Sequence, residues 1–309
     1  MNPRPDFFIV GAPKCGTTAL FRYLSAHPGV FMPEVKEPHW FSPDVGQWGG
    51  NVANLAEYDA LFSPAQPREL TGEASVFYLY SKVAIANIMA HNPAAKIIVM
   101  LRNPAEAARS MHAFQLQHAQ EDVGDFERAW RLQKVRLEGQ RLPPGWPYPH
   151  LKQYGALYCY ASQMRRVLAQ VPRKQYLILL SEEFFADPSR QFARVLEFLG
   201  LPPDPARTDF PVENQTMGVR SGHLDRLLRH PPGALRMLRR VAHALSLHPG
   251  RQLQRLNRVE GKKPAIRDEF REELERYFAD DVAELEQLLG RVLWPSPRSV
   301  AQHGTSTRR

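Results

Sequence analysis

Phe7-Phe8-Ile9-Val10-Gly11-Ala12-Pro13-Lys14-Cys15-Gly16-Thr17-Thr18 opens on four apolar residues and runs through a glycine-flanked loop into a helical pattern. A short, continuous apolar run reads as a strand buried on both faces of a parallel sheet. Residues 97–101 and 176–180 repeat it, and 70–73 is a shorter candidate. Helical periodicity occupies 18–26, 82–91, 104–117, 125–140, 154–170 and 190–199. A last helix at 267–289 carries Phe270, Leu274, Phe278, Val282, Leu285 and Leu289 on one face. Strands alternating with helices predict an α/β fold with a doubly wound, mainly parallel sheet flanked by helices. The helix ends agree: Asn103, Pro104 and Glu106 stand at cap, first-turn and capping-box positions, and Gly200 follows the stripe of Phe192, Val195, Leu196 and Leu199.

Phosphate binding needs backbone N–H groups converging on one concavity, glycines that permit close approach, and the partial positive charge of a helix N-terminus. A loop between a buried strand and a helix supplies that geometry. The spacing Gly11-x-x-x-x-Gly16 matches the first part of a nucleoside-triphosphate P-loop, but the position of the P-loop lysine holds Thr17, and the lysine stands inside the loop as Lys14. A P-loop-like nucleotide site is therefore expected, of a kind other than an ordinary NTPase.

Composition sets the outer bounds. The chain has 309 residues, 43% of them hydrophobic, enough for a substantial core. Residues 1–295 read as one domain and 296–309 as a disordered tail. Cys15 and Cys159 cannot make a disulfide framework and have no ligand-spaced partners, so no metal is expected and a reducing, cytoplasmic compartment is favoured. The N-terminus lacks a signal-peptide pattern, and no stretch approaches the roughly 18 apolar residues of a membrane span. Eleven lysines and arginines fall in 220–263 against only Asp225 and Glu260, so this segment accounts for the net charge of +8. Within it, Leu235, Leu238, Val241 and Leu245 interleave with Arg236, Arg239, Arg240 and His243 as a basic amphipathic helix. Such a helix could cover a cofactor, meet an anionic acceptor, touch a membrane surface or simply be solvated. No RNA- or DNA-binding signature accompanies it, and no nucleic-acid partner is expected.

Phe8-Ile-Val-Gly-Ala-Pro-Lys-Cys-Gly-Thr-Thr-Ala-Leu20 resembles the 5'-phosphosulfate loop of sulfotransferases that use 3'-phosphoadenosine-5'-phosphosulfate (PAPS). The resemblance continues in Tyr154-Gly-Ala-Leu-Tyr158, in 178–183, in Phe198-Leu-Gly200 and in Leu288-Leu-Gly-Arg291, covering about 7–294, and is nearest the bacterial and heparan-type members. It implies that Lys14, Cys15, Gly16, Thr17 and Thr18 bind the 5'-phosphosulfate, with Lys14 at the leaving oxygen. PAPS also carries a 3'-phosphate, which needs a second cationic site. Arg102 ends a buried strand, where an open α/β sheet has its ligand crevice. Arg102 followed by Ser110 resembles the family's 3'-phosphate motif, and Lys262 and Lys263 lie where related enzymes close a loop over the nucleotide.

Sulfuryl transfer resembles phosphoryl transfer in needing in-line attack, a base and a cation at the leaving oxygen, here without a metal. Lys36-Glu37-Pro38-His39-Trp40-Phe41 resembles the family's Lys-Glu-x-x-Phe-Phe segment, which makes Glu37 the base; His39 is a second candidate because an ordinary histidine titrates near neutrality. Lys36 could touch the transferring sulfonate, and Glu73-x-Ser75-x-x-Tyr78 resembles a family stretch near the acceptor, which makes Ser75 a candidate acceptor contact. A glycan or small-molecule acceptor is expected, its identity lying in loop shape. Two other readings remain: a P-loop-type small-molecule kinase, which Thr17 and Arg102 oppose, and a non-catalytic anion-binding protein using the basic segment.

Overall fold

The structure, a computed structural model, describes residues 4–46, 52–118, 120–143, 146, 148–203, 210, 217–219, 258–260 and 266–294. They divide into two compact units, one of residues 1–107, 155–211 and 271–309, the other of 108–154 and 212–270.

The first unit holds five parallel strands in the order β2-β3-β1-β4-β5: β1 (Phe7–Gly11), β2 (Val30–Phe31), β3 (Leu70–Ala74), β4 (Lys96–Leu101) and β5 (Tyr176–Leu180). Residues 7–10 and 97–101 are wholly buried, as their unbroken apolar runs require. β1 pairs with β3 on one side and β4 on the other, so the strand order reverses at β1. The crevice at the carboxyl ends of such strands is where doubly wound sheets take ligands. Helix α1 (Thr17–Ser25) follows β1, α2 (Leu55–Ala60) precedes β3, and α3 (Ala84–His91) joins β3 to β4. The doubly wound α/β expectation holds. The two-residue edge strand β2 and the six-residue α2, which the sequence pattern does not announce, are additions to it.

Helix α4 (Pro104–Gln117) has the expected bounds, and the Asn103 side chain accepts the Glu106 amide at 3.3 Å. The capping box is a correction. Asn103 N–H donates to the Glu182 carboxylate at 2.9 Å, and Glu106 instead faces Arg102 at 3.8 Å. In the second unit the single helix expected at 125–140 is two, α5 (Phe126–Arg131) and α6 (Gln133–Leu137). Likewise 154–170 divides at Cys159 into α7 (Tyr154–Tyr158) and α8 (Tyr160–Gln170). Two further helices follow β5, α9 (Ser181–Ala186) and α10 (Pro188–Leu199), the latter ended by Gly200 at φ 80°. Helix α11 (Asp268–Leu289) buries Leu274, Phe278 and Leu285 of its apolar stripe in the first unit. The α8 break has a visible partner: Asp281 of α11 accepts the Ala161 amide at 3.2 Å, capping α8 from a residue 120 positions away.

In the second unit a buried ionic cluster replaces an apolar core centre. Arg136 donates to both oxygens of Glu121 at 2.7 Å, Tyr154 donates to Glu121 at 2.7 Å, and Lys152 donates to Gln115 at 2.8 Å. Burial raises the Glu121 pKa, yet Arg136 and Lys152 more than offset it and hold the carboxyl at about 2. Residues 217–219 and 258–260 form an antiparallel strand pair, β6 (Met217–Val219) with β7 (Arg258–Glu260). The rest of the basic segment, with its amphipathic helix, and residues 296–309 lie outside the described residues. Among the described residues, no helix is long and apolar enough to cross a membrane.

Candidate functional site

β1 ends where its register against β4 shifts between Ile9 and Gly11, and the chain turns out of the sheet there. Gly11 has φ 137°, and a Cβ on it would lie 2.4 Å from the Val76 carbonyl oxygen. Only glycine fits so close a backbone approach. The loop is then pinned at each step. Ala12 N–H donates to Met100 O at 2.6 Å, and Tyr158 O–H donates to Pro13 O at 3.2 Å. Gly16, left-handed at φ 98°, is the N-cap of α1 and aims the helix's first-turn N–H groups at the loop concavity.

The side chains of that loop do not all face one way. Cys15 is fully buried, its Sγ 3.4 Å from Pro13 O and 3.6 Å from Tyr160 Oη. Burial pushes its thiol up to about 12, so it is no nucleophile near neutral pH and can meet a ligand only through its backbone. Thr17 is buried and Thr18 partly exposed. Arg102, at the end of β4, donates to the Lys14 carbonyl at 3.4 Å, which brings two of the expected anion-binding residues together. Ser110 is buried on the part of α4 that belongs to the second unit. Lys262 and Lys263 lie outside the described residues.

The segment carrying the candidate base runs beside the end of β3. Glu37 N–H donates to Ala74 O at 3.1 Å, His39 N–H to the Ser75 hydroxyl at 3.1 Å, and Phe41 N–H to the Tyr78 hydroxyl at 3.3 Å. Lys36 Nζ pairs with Glu37 Oε1, and His39 Nε2 stands 3.6 Å from Glu37 Oε2. Burial raises the Glu37 pKa, but His39 and Lys36 outweigh it and hold the carboxyl at about 2, so Glu37 is ionised throughout the neutral range. Lys36, Glu37, His39 and Ser75 thus gather at one place.

Among the described residues, five non-glycines have φ in the left-handed region, and Lys14 (63°), Glu37 (65°) and His39 (53°) are three of them. Each such residue costs about 1–2 kcal/mol relative to ordinary backbone. Strain concentrated on a loop lysine and two candidate bases, at the carboxyl ends of adjoining parallel strands, is what a preorganised site looks like.

Sequence reasoning named Glu73 in the Glu73-x-Ser-x-x-Tyr78 stretch without giving it a site role, and passed over Tyr58. Glu73 is completely buried at the end of β3, where its Oε2 accepts from Tyr58 Oη at 2.9 Å and Tyr78 Oη at 2.8 Å. Burial lifts its pKa to about 7 despite those bonds. A carboxylate inside an otherwise buried strand was the available signal.

The fold and the loop fit the class of protein that the family comparison gives. Residues 4–218 match the family model for the sulfotransferase domain, and the chain belongs to that family. The bifunctional heparan sulfate N-deacetylase/N-sulfotransferase 4 of Mus musculus is 26% identical over 311 residues, covering 96% of this chain and 31% of that protein. The heparan sulfate glucosamine 3-O-sulfotransferase 3B1 of Homo sapiens is 30% identical over 197 residues, covering 64% of this chain and 46% of its own length. The chain thus spans about half or less of these curated relatives. The crystal structure of a sulfotransferase from Alicyclobacillus acidocaldarius superposes with a TM-score of 0.69 at 29% identity, covering 94% of this chain and 98% of that one.

Proposed function

We propose that the protein transfers a sulfuryl group from PAPS to a hydroxyl or amine of a glycan or small-molecule acceptor, releasing adenosine-3',5'-bisphosphate (PAP). The observation that carries this is the strained trio Lys14, Glu37 and His39 at the ends of β1 and β3. The donor set suits an adenosine bisphosphate: glycine-bounded backbone N–H groups at a helix N-terminus, a lysine within that loop, and an arginine at the next strand end. When bound, PAPS would supply an activated sulfonate on a phosphate leaving group.

The loop N–H groups with Thr17 and Thr18 hold the 5'-phosphate end. Lys14 offsets negative charge on the leaving oxygen. Arg102 with Ser110, and Lys262 and Lys263 from the basic segment, are assigned to the nucleotide, and Lys36 to the sulfonate. Glu37 takes the acceptor's proton. Its carboxyl is a weak base while Lys36 and His39 stabilise its charge, so movement of Lys36 toward an anionic ligand raises its basicity. A second reading has a specific support: with Nε2 3.6 Å from Glu37, His39 takes the proton and Glu37 steadies the imidazolium. Single-turnover rates for Glu37→Gln and His39→Ala separate the two. The variant that loses at least about a hundredfold marks the base.

Residues 1–295 form one sulfotransferase domain in this reading, supported by a family match that runs through residues of both compact units. We assign the protein to the cytoplasm, in keeping with its two free cysteines. Thermal shift tests the donor site. Stabilisation by PAP is expected, and stabilisation by ATP-Mg²⁺ without any by PAP rejects it in favour of a kinase. Label from ³⁵S-PAPS offered to a heparosan-type glycan, a phenol and a lipid alcohol then identifies the acceptor class.

A further inference from the structure

Glu73 lies at the end of β3, beside which the segment carrying Glu37 and His39 runs. Its Oε2 accepts from Tyr58 and Tyr78, and the Tyr78 oxygen in turn accepts the Phe41 amide. Ser75, two residues along, accepts the His39 amide. The His39 and Phe41 amides are therefore tied, through Ser75 and Tyr78, to the six-residue stretch 73–78 that leaves β3. This matters because Glu37 and His39 both hold left-handed φ angles, a backbone that relaxes unless its surroundings over-determine it.

Resting on the proposed function, we propose that Glu73 is a positioning residue: through Tyr78 it fixes the strained 36–41 segment and so sets the orientation of Glu37 and His39. Its own surroundings fit an anchor better than a proton carrier. It is 0% exposed, and Tyr58 stacks over Trp40 with ring centroids 6.1 Å apart, so the segment is braced on its aromatic side as well. The anchoring asks only for an acceptor oxygen between two phenols. A carboxyl lifted to about 7 provides that in either protonation state, and so does an amide.

The test compares Glu73→Gln, Glu73→Leu and Tyr78→Phe with the wild type. Three readouts are taken: hydrogen exchange of the His39 and Phe41 amides, the thermal shift given by PAP, and kcat against KM for PAPS with the acceptor found above. Glu73→Leu should speed exchange at the Phe41 amide and lower kcat at least about tenfold, the worth of a lost buried hydrogen bond, while KM for PAPS stays within about twofold. Tyr78→Phe, which keeps the ring packing, should act mainly on Phe41. Glu73→Gln should stay near wild type in exchange and within about threefold in kcat. If Glu73→Leu or, should that variant not fold, Tyr78→Phe leaves amide exchange and kcat unchanged, the anchor is refuted. Equal loss in Gln and Leu overturns it too, since the charge and not the acceptor geometry would then matter. Loss of the PAP shift in the wild type itself would count against the proposed function and leave the exchange result standing on its own.

Discussion

Gly11→Ala tests how tightly the loop is held. A Cβ at this position would sit 2.4 Å from the Val76 carbonyl oxygen and 3.2 Å from Leu79 Cβ, on a backbone with φ 137°. The nearer atom belongs to the main chain just after β3, so no side-chain rotation relieves the clash. Positive φ costs an L residue about 1–2 kcal/mol, and overpacking costs about 1–3 kcal/mol more, giving a loss of about 2–5 kcal/mol in urea unfolding. The displaced backbone also carries Lys14 and the start of α1, so PAP should bind the folded variant at least about tenfold more weakly by calorimetry. Gly72→Ala is the control. Its Cβ would strike Phe7 and Met32 side chains at 2.1 and 2.4 Å, which costs stability without moving the loop, and PAP affinity should hold within about twofold. A Gly11→Ala protein within about 0.5 kcal/mol of wild type that binds PAP normally would refute this account of the loop.

Arg136→Met strands the Glu121 carboxylate beside a single remaining cation in a fully buried site, and should cost about 3–5 kcal/mol in the same urea assay. The acid limb of stability has its sign fixed by Glu37 and Glu121. Both are held at about 2, so their contribution is complete above the ordinary carboxylate pKa of about 4.5 and is lost as pH falls through about 2. The urea midpoint should drop over that window, and less so in Glu121→Gln. Glu73 acts oppositely. Lifted to about 7, it makes the folded state bind a proton that the unfolded chain has released, so stability falls as pH rises from about 4.5 to 7, and Glu73→Gln should flatten that slope.

The parallel sheet and the loop after β1 were legible because β1, β4 and β5 carry continuous apolar runs and because Gly11 and Gly16 mark the two turns of the loop. β2 was not, since two residues gain strand geometry only by pairing with Leu70 and Thr71 at the sheet edge. The breaks at 132 and 159 escaped for a similar reason. Periodicity continues through both, while the bonds associated with them are long-range: the Asp281 cap on Ala161 and the Glu121 grip on Arg136. At the site, loop spacing picked out Lys14, and the resemblance of 36–41 to a family segment picked out Lys36, Glu37 and His39. Neither could give the left-handed angles of three of them, or the chain from Glu73 through Tyr78 to Phe41, because those depend on how the 36–41 segment meets the end of β3. The reversed capping box at Asn103 follows the same rule: Glu182, 79 residues away, outcompetes Glu106.

Transfer of ³⁵S from PAPS by wild type and by Lys14→Ala, in single turnover with PAP affinity measured alongside, decides whether Lys14 acts at the breaking bond. Transfer by the wild type and a loss of at least about a hundredfold in Lys14→Ala, with PAP still bound, are expected. Wild-type protein that moves no label from PAPS, or Lys14→Ala that transfers at the wild-type rate, would contradict that assignment.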